Sequence, residues 1–148
     1  MKSIFDNTTR VELINRIMTL NDSSIRQWGK MNIHQMIKHC ILCEEMYLGK
    51  TKYKRSFIGF LFGKIALNIL IKNENPKKKN SPTKVDFKNF ELLGNIETEK
   101  LKWIKLVQEY ETYTEKEFIH WFYGKMTKYQ IGISVYKHID HHLRQFNS

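Results

Sequence analysis

The sequence has only two prolines and seven glycines in 148 residues. A chain of many short strands needs turn residues at frequent intervals, so this scarcity argues against a turn-rich β protein and for long helices. Cysteine is scarce too, with Cys40 and Cys43 alone. They stand too close together to staple a fold, and a reducing compartment is the simpler setting. The opening "MKSIFDNTTR" has no apolar run, so no secretory signal is read there and an intracellular, cytoplasmic protein is expected. The longest apolar stretch, "FIGFLFGKIALNILI" (Phe57–Ile71), has 15 residues and is interrupted by Lys64 and Asn68. A bilayer span needs about 20, so a buried helix or a homodimer contact is expected in preference to a membrane-surface helix. No Ser-His-Asp or paired-carboxylate arrangement stands out, and no internal repeat is visible.

What is present suffices for one domain covering residues 1–148. Hydrophobic residues make up 41% and aromatics 13%, enough to fill a single core. The net charge is +10, which raises a nucleic-acid or anionic-membrane partner. The lysines are scattered, however, and the one dense run, "NPKKKNSPTK" (Asn75–Lys84), reads as a loop. Bases and aromatics are not interleaved as in a stacking platform. A small-molecule substrate is therefore expected, with neither nucleic acid nor membrane as partner.

Helix starts are legible as capping-box spacings: Thr9 with Glu12, Asn32 with Gln35, and Thr127 with Gln130. They predict helices over about Arg10–Leu20, Ile33–Leu48 (with Gly49 just past its end), Ile96–Thr112 and Lys128–Phe146. Residues Lys72–Gly94 read as a long irregular connection, because Pro76, Pro82 and the lysine run oppose a helix. Four main helices with one long crossover predict an all-α helix bundle.

Three of the six histidines fall within five residues of the last helix, in "YKHIDHHLRQF" (Tyr136–Phe146). At about 100° per residue, His138, His141, His142 and Gln145 share a face with Ile131 and Val135, and that face should point inward. His138 and His142, four apart, can aim at one point above the helix. An HxxxH pair by itself is open to two readings, a metal pair or buried histidines satisfied by hydrogen bonds. His39 is the candidate third ligand, at the edge of the apolar stripe of the second helix, while His34 lies on the polar side. Three histidines with a coordination position left over is the composition of a catalytic-type metal site, and neutral imidazole suits zinc, nickel and iron(II) alike. The CxxC of "HCILC" sits mid-helix on the apolar stripe and is read as core filling. Glu44 is the one carboxylate inside that stripe, expected to be partly exposed or paired with a lysine, the alternative being an acid behind the metal ligands.

"WGKMNIHQMIKHC" (Trp28–Cys40), "FYGKMTKYQ" (Phe122–Gln130) and "YKHIDHHLRQF" resemble, in order, the signature segments of the DinB/YfiT-like superfamily. The likeness is to the branch whose last helix carries an HHLRQF-type motif. The resemblance implies a DinB-like four-helix bundle, up-down-down-up, with an extra helix and long connection between the second and third bundle helices. It implies a divalent metal, zinc or nickel, on His39, His138 and His142. It further implies a metal-dependent transferase acting with a low-molecular-weight thiol, with His141, Arg144 or Gln145 behind the ligands or orienting substrate. The alternative is a non-catalytic binding module with a vestigial or structural metal site. One departure is Trp121, which follows His120 where relatives of this branch often have proline. That sets aside a common role for His120.

Overall fold

The structure is a computed structural model that describes residues 1–73, 75–79, 95–114 and 117–148. Most of the predicted connection, residues 80–94 with Pro82, lies outside the described residues. The chain is mostly helical, with α1 (Asn7–Thr19), α2 (Ile33–Tyr47), α3 (Phe57–Lys72), α4 (Ile96–Glu109) and α5 (Lys128–Gln145). A 3-10 turn, Tyr110–Thr112, extends α4 to the end expected for it. An all-α chain has no strands, and here the structure differs. A small antiparallel hairpin pairs β1 (Phe118–His120) with β2 (Gly124–Met126), and among the described residues it is the only sheet.

Two of the three predicted capping boxes form. Asn32 accepts from Gln35 N at 2.9 Å while Gln35 returns the bond to Asn32 N at 2.9 Å. Thr127 and Gln130 do the same at 3.3 and 2.9 Å. Each satisfies two amides that a helix start leaves unpaired. The third does not form. Helix α1 begins earlier, after Asp6, and Thr9 is buried inside it. The N-terminal segment is tied instead by Arg10, which donates to the carbonyls of Ile4 and Phe5.

The helices close on one core that includes Leu13 and Ile17 from α1, Met36, Ile37 and Ile41 from α2, Trp103 and Val107 from α4, and Ile131, Val135, Ile139 and Leu143 from α5. Each aliphatic side chain so buried contributes roughly 1.5–3 kcal/mol against solvent. Helix α2 packs on α4 and α5, and α1 also packs on α4 and α5. Buried charges lock the helix ends. Lys100 on α4 donates to Met18 O and Leu20 O and so caps α1. Asp140 on α5 holds Arg16 of α1 at 2.8 Å.

Helix α3 departs from the expectation of a buried helix. It meets the protein along a narrow edge, Gly59, Gly63 and Leu67, while Phe57 and Phe60 are 77% and 74% exposed. The reason is close approach: both glycines lie against the Phe122 backbone, with no room for a side chain between. Lys137 of α5 donates to Leu70 O, Asn73 O and Asn75 O, fixing the far end of α3 and the segment after it to α5. No helix among the described residues is long and apolar enough to cross a membrane.

Candidate metal centre

The contact between α2 and α5 brings His39, His138 and His142 together, all buried. Each offers one ring nitrogen, and the three nitrogens lie within 4.8 Å of one another. His39 Nε2 and His138 Nε2 are 3.0 Å apart. Nitrogens held about 2.0–2.1 Å from one tetrahedral ion stand about 3.3 Å apart, so this pair already has ligand spacing. His138 Nδ1 is buried without a hydrogen-bond partner among the described residues, so packing alone holds its ring edge.

Burial lowers the pKa of all three imidazoles, His39 to about 3 and the other two well below the ordinary value. The nearby Lys77 ammonium and neighbouring histidines add to the effect. The rings are therefore neutral at pH 7, the form that ligates a metal. The donor set fits a zinc-like or nickel-like divalent cation.

The orientation of His142 is set from behind. Its Nδ1 donates to Gln145 Oε1 at 2.9 Å, leaving Nε2 as the lone-pair nitrogen. Gln145 is itself fixed, because its Nε2 donates to Trp28 O at 2.8 Å and its carbonyl accepts from Gln27 N at 2.7 Å. The Trp28 loop and the last helix, two of the signature segments, thus meet at one glutamine. Replacing that glutamine by an apolar isostere, Gln145→Leu, should weaken zinc binding by about 10–100-fold with the fold retained. A titration that finds affinity within about twofold of wild type would contradict this role.

The other predicted site residues divide. His141 lies beside the cluster, its ring 5.0 Å from that of His142. Its Nδ1 donates to Lys77 O at 3.2 Å rather than joining the three. Arg144 does not turn toward them; its Nε pairs with Asp140 at 3.0 Å. His34 pairs with Asp22 on the polar side. His120 accepts from the amides of Phe122 and Tyr123 on Nδ1, each at 3.1 Å, and stacks on Tyr123. Its work is to shape the hairpin turn.

Both cysteines are free, buried thiols, and burial raises their pKa. Neither is a redox thiol of the low-pKa kind. Cys43 Sγ nevertheless lies 3.8 Å from His39 Nε2.

Glu44 corrects the expectation of partial exposure or a lysine partner. It is fully buried, and Tyr110 donates to its Oε2 at 2.6 Å. Burial pushes its pKa from 4.5 up to about 8, against the lowering pull of the Tyr110 hydrogen bond. Between those values the folded chain keeps a proton that the unfolded chain has lost. The contribution of Glu44 to stability is complete below pH 4.5 and is lost as pH rises through 8. Glu44→Gln should erase that loss, so the variant melts above wild type at pH 8.5 and close to it at pH 5. Equal melting differences at the two pH values would contradict the assignment.

Residues 4–148 match the family described as "Protein of unknown function (DUF1569)", and the chain belongs to that family. No curated protein and no solved structure matches it.

Proposed function

We propose that this DUF1569 protein is a divalent-metal protein of the DinB/YfiT-like superfamily, acting as a metal-dependent transferase with a low-molecular-weight thiol. His39, His138 and His142 would hold the ion, zinc or nickel. The observation that carries the reading is the convergence of their three nitrogens within 4.8 Å across the contact between α2 and α5. What supports the superfamily's up-down-down-up four-helix bundle is the packing of α1 and α2 each on both α4 and α5. Helix α3 would then be the extra helix before the long connection.

A bound divalent cation acts as a Lewis acid and favours the ionised form of a thiol at neutral pH. The chain's own contributions are separate from that chemistry. Burial keeps the imidazoles unprotonated, Gln145 keeps His142 turned inward, and the packed helices exclude bulk water from the ligand nitrogens. Three protein ligands leave a position for a small molecule.

The second reading, a non-catalytic module with a structural site, draws on Cys43, whose sulfur lies 3.8 Å from His39 Nε2 and could act as a fourth ligand. Cobalt(II) substitution separates the two. With an open site, a sulfur-to-cobalt absorption band should appear only on adding 2-mercaptoethanol, and Cys43→Ser should leave it in place. A band present without added thiol and lost in Cys43→Ser would favour the structural site. A protein that binds no divalent ion would end both.

A further inference from the structure

Half of the large apolar side chains exposed among the described residues lie on α3. Phe57, Phe60, Leu61, Phe62, Ile65 and Ile69 are each between 53% and 77% exposed. Soluble single chains rarely leave a contiguous apolar patch of more than roughly a few hundred Å² open to water, and one that does marks a contact. Around the helix, Leu61, Ile65, Ile69 and Phe62 fall within an arc of about 100°. Lys64 and Asn68 border that arc, and Lys72 closes the helix.

The helix needs no ligand in order to form. Ser56 caps its start, accepting from Gly59 N at 3.3 Å, and Ser56 N donates to Trp121 O at 2.9 Å. Arg55 donates to His120 O and Gly59 O at 3.2 and 3.4 Å. Gly59 and Gly63 lie on the Phe122 backbone. The opposite face is therefore presented already coiled, over a length of about 24 Å.

Charge decides what that face fits. Residues 46–94, which include α3, hold eleven lysines and arginines and three acidic residues. The other 99 residues hold 14 and 12. The lysines are spread along the chain, but the acids that would balance them are sparse around α3. Residues 46–73 hold six basic residues, all exposed, and no acidic one. Of these six, Lys50 pairs with Glu109.

The sequence ranks a membrane surface behind burial and a homodimer contact for this segment. Burial is not what the structure shows. A second copy docked here about a two-fold axis would set the positive surplus against itself, which opposes association. An anionic bilayer attracts the same surplus and takes up one apolar helix face at its headgroup boundary. No helix among the described residues can cross a membrane, so α3 would lie along the surface.

We propose that α3 is a docking face for an anionic lipid bilayer. Leu61, Phe62, Ile65 and Ile69 enter the boundary of the acyl chains, and the flanking Lys52, Lys54 and Lys72 meet the headgroups. The inference does not depend on the metal centre.

Vesicle flotation of the full chain tests it, with phosphatidylcholine vesicles that contain or lack about 30% phosphatidylserine. Wild type should bind the anionic vesicles at least about tenfold tighter, and about 0.5 M salt should erase much of that difference. Leu61→Ser/Ile65→Ser should weaken binding at least about tenfold, with an unchanged circular dichroism spectrum because both side chains face solvent. Lys52→Gln/Lys54→Gln should weaken it about 10–30-fold. Leu101→Ser, at a site on α4 that is 62% exposed, should behave as wild type. Absence of binding, or equal binding to both kinds of vesicle, overturns the proposal. So does binding that survives Leu61→Ser/Ile65→Ser. A wild-type dimer in sedimentation velocity that this double variant dissolves, with no vesicle binding, overturns it in favour of a second copy.

Discussion

His142→Ala should cost more zinc affinity than any single substitution outside the cluster, at least about a hundredfold, because loss of a partner merely behind a ligand already costs about 10–100-fold. The variant removes one of three nitrogens and frees Gln145 from its bond to the ring. It should still fold. The α5 core contacts through Ile131, Val135, Ile139 and Leu143 are untouched. Competition with a chelating dye reads the affinity, and circular dichroism reads the fold. Affinity within about threefold of wild type, in a folded variant, would mean that His142 is no ligand.

That residue and its partners were legible in the sequence for a simple reason. Rotation per residue along a helix is regular, so His138 and His142 share a face with Ile131 and Val135 whatever they pack against. The boundaries of α2 and α5 were legible because their caps are local, made within four residues of each helix start. The start of α1 misled because a Thr-x-x-Glu spacing also occurs inside helices; the Arg10 amide already donates to Asp6 O at 3.0 Å, so the chain coils before Thr9. The hairpin was missed because three-residue strands offer too few alternations to reveal a period of two. Composition alone said that α3 is apolar, not which edge it uses. The ties of the segment after α3 were illegible for the same reason: Lys137 and His141, which hold the carbonyls of Asn75 and Lys77, are far away in sequence.

Gly63→Ala should have the largest effect on stability. A Cβ there would lie 2.0 Å from Phe122 O and 3.1 Å from Tyr123 Cα, and both obstacles are backbone. The hairpin cannot yield without disturbing the His120 turn, and α3 cannot lift without exposing Leu67, which is fully buried. Overpacking usually costs about 1–3 kcal/mol, and a backbone clash belongs at or above the upper end. A domain of this size loses about 2–4 °C per kcal/mol, so melting should fall by roughly 6–12 °C. Gly49→Ala supplies the contrast. Nothing lies within 4 Å of its Cβ, but its φ of +73° is left-handed, which costs about 1 kcal/mol for a residue with a side chain. Similar melting for Gly63→Ala and wild type would mean that α3 is not held along its glycine edge.

The proposed metal is held by three histidines from two helices. The most direct measurement is isothermal titration of tag-free, chelator-stripped protein with zinc, beside the triple variant H39A/H138A/H142A. One saturable zinc site per chain is expected in the wild type and none in the triple variant. Absence of a saturable site in the wild type, or the same site surviving in the folded triple variant, would contradict it.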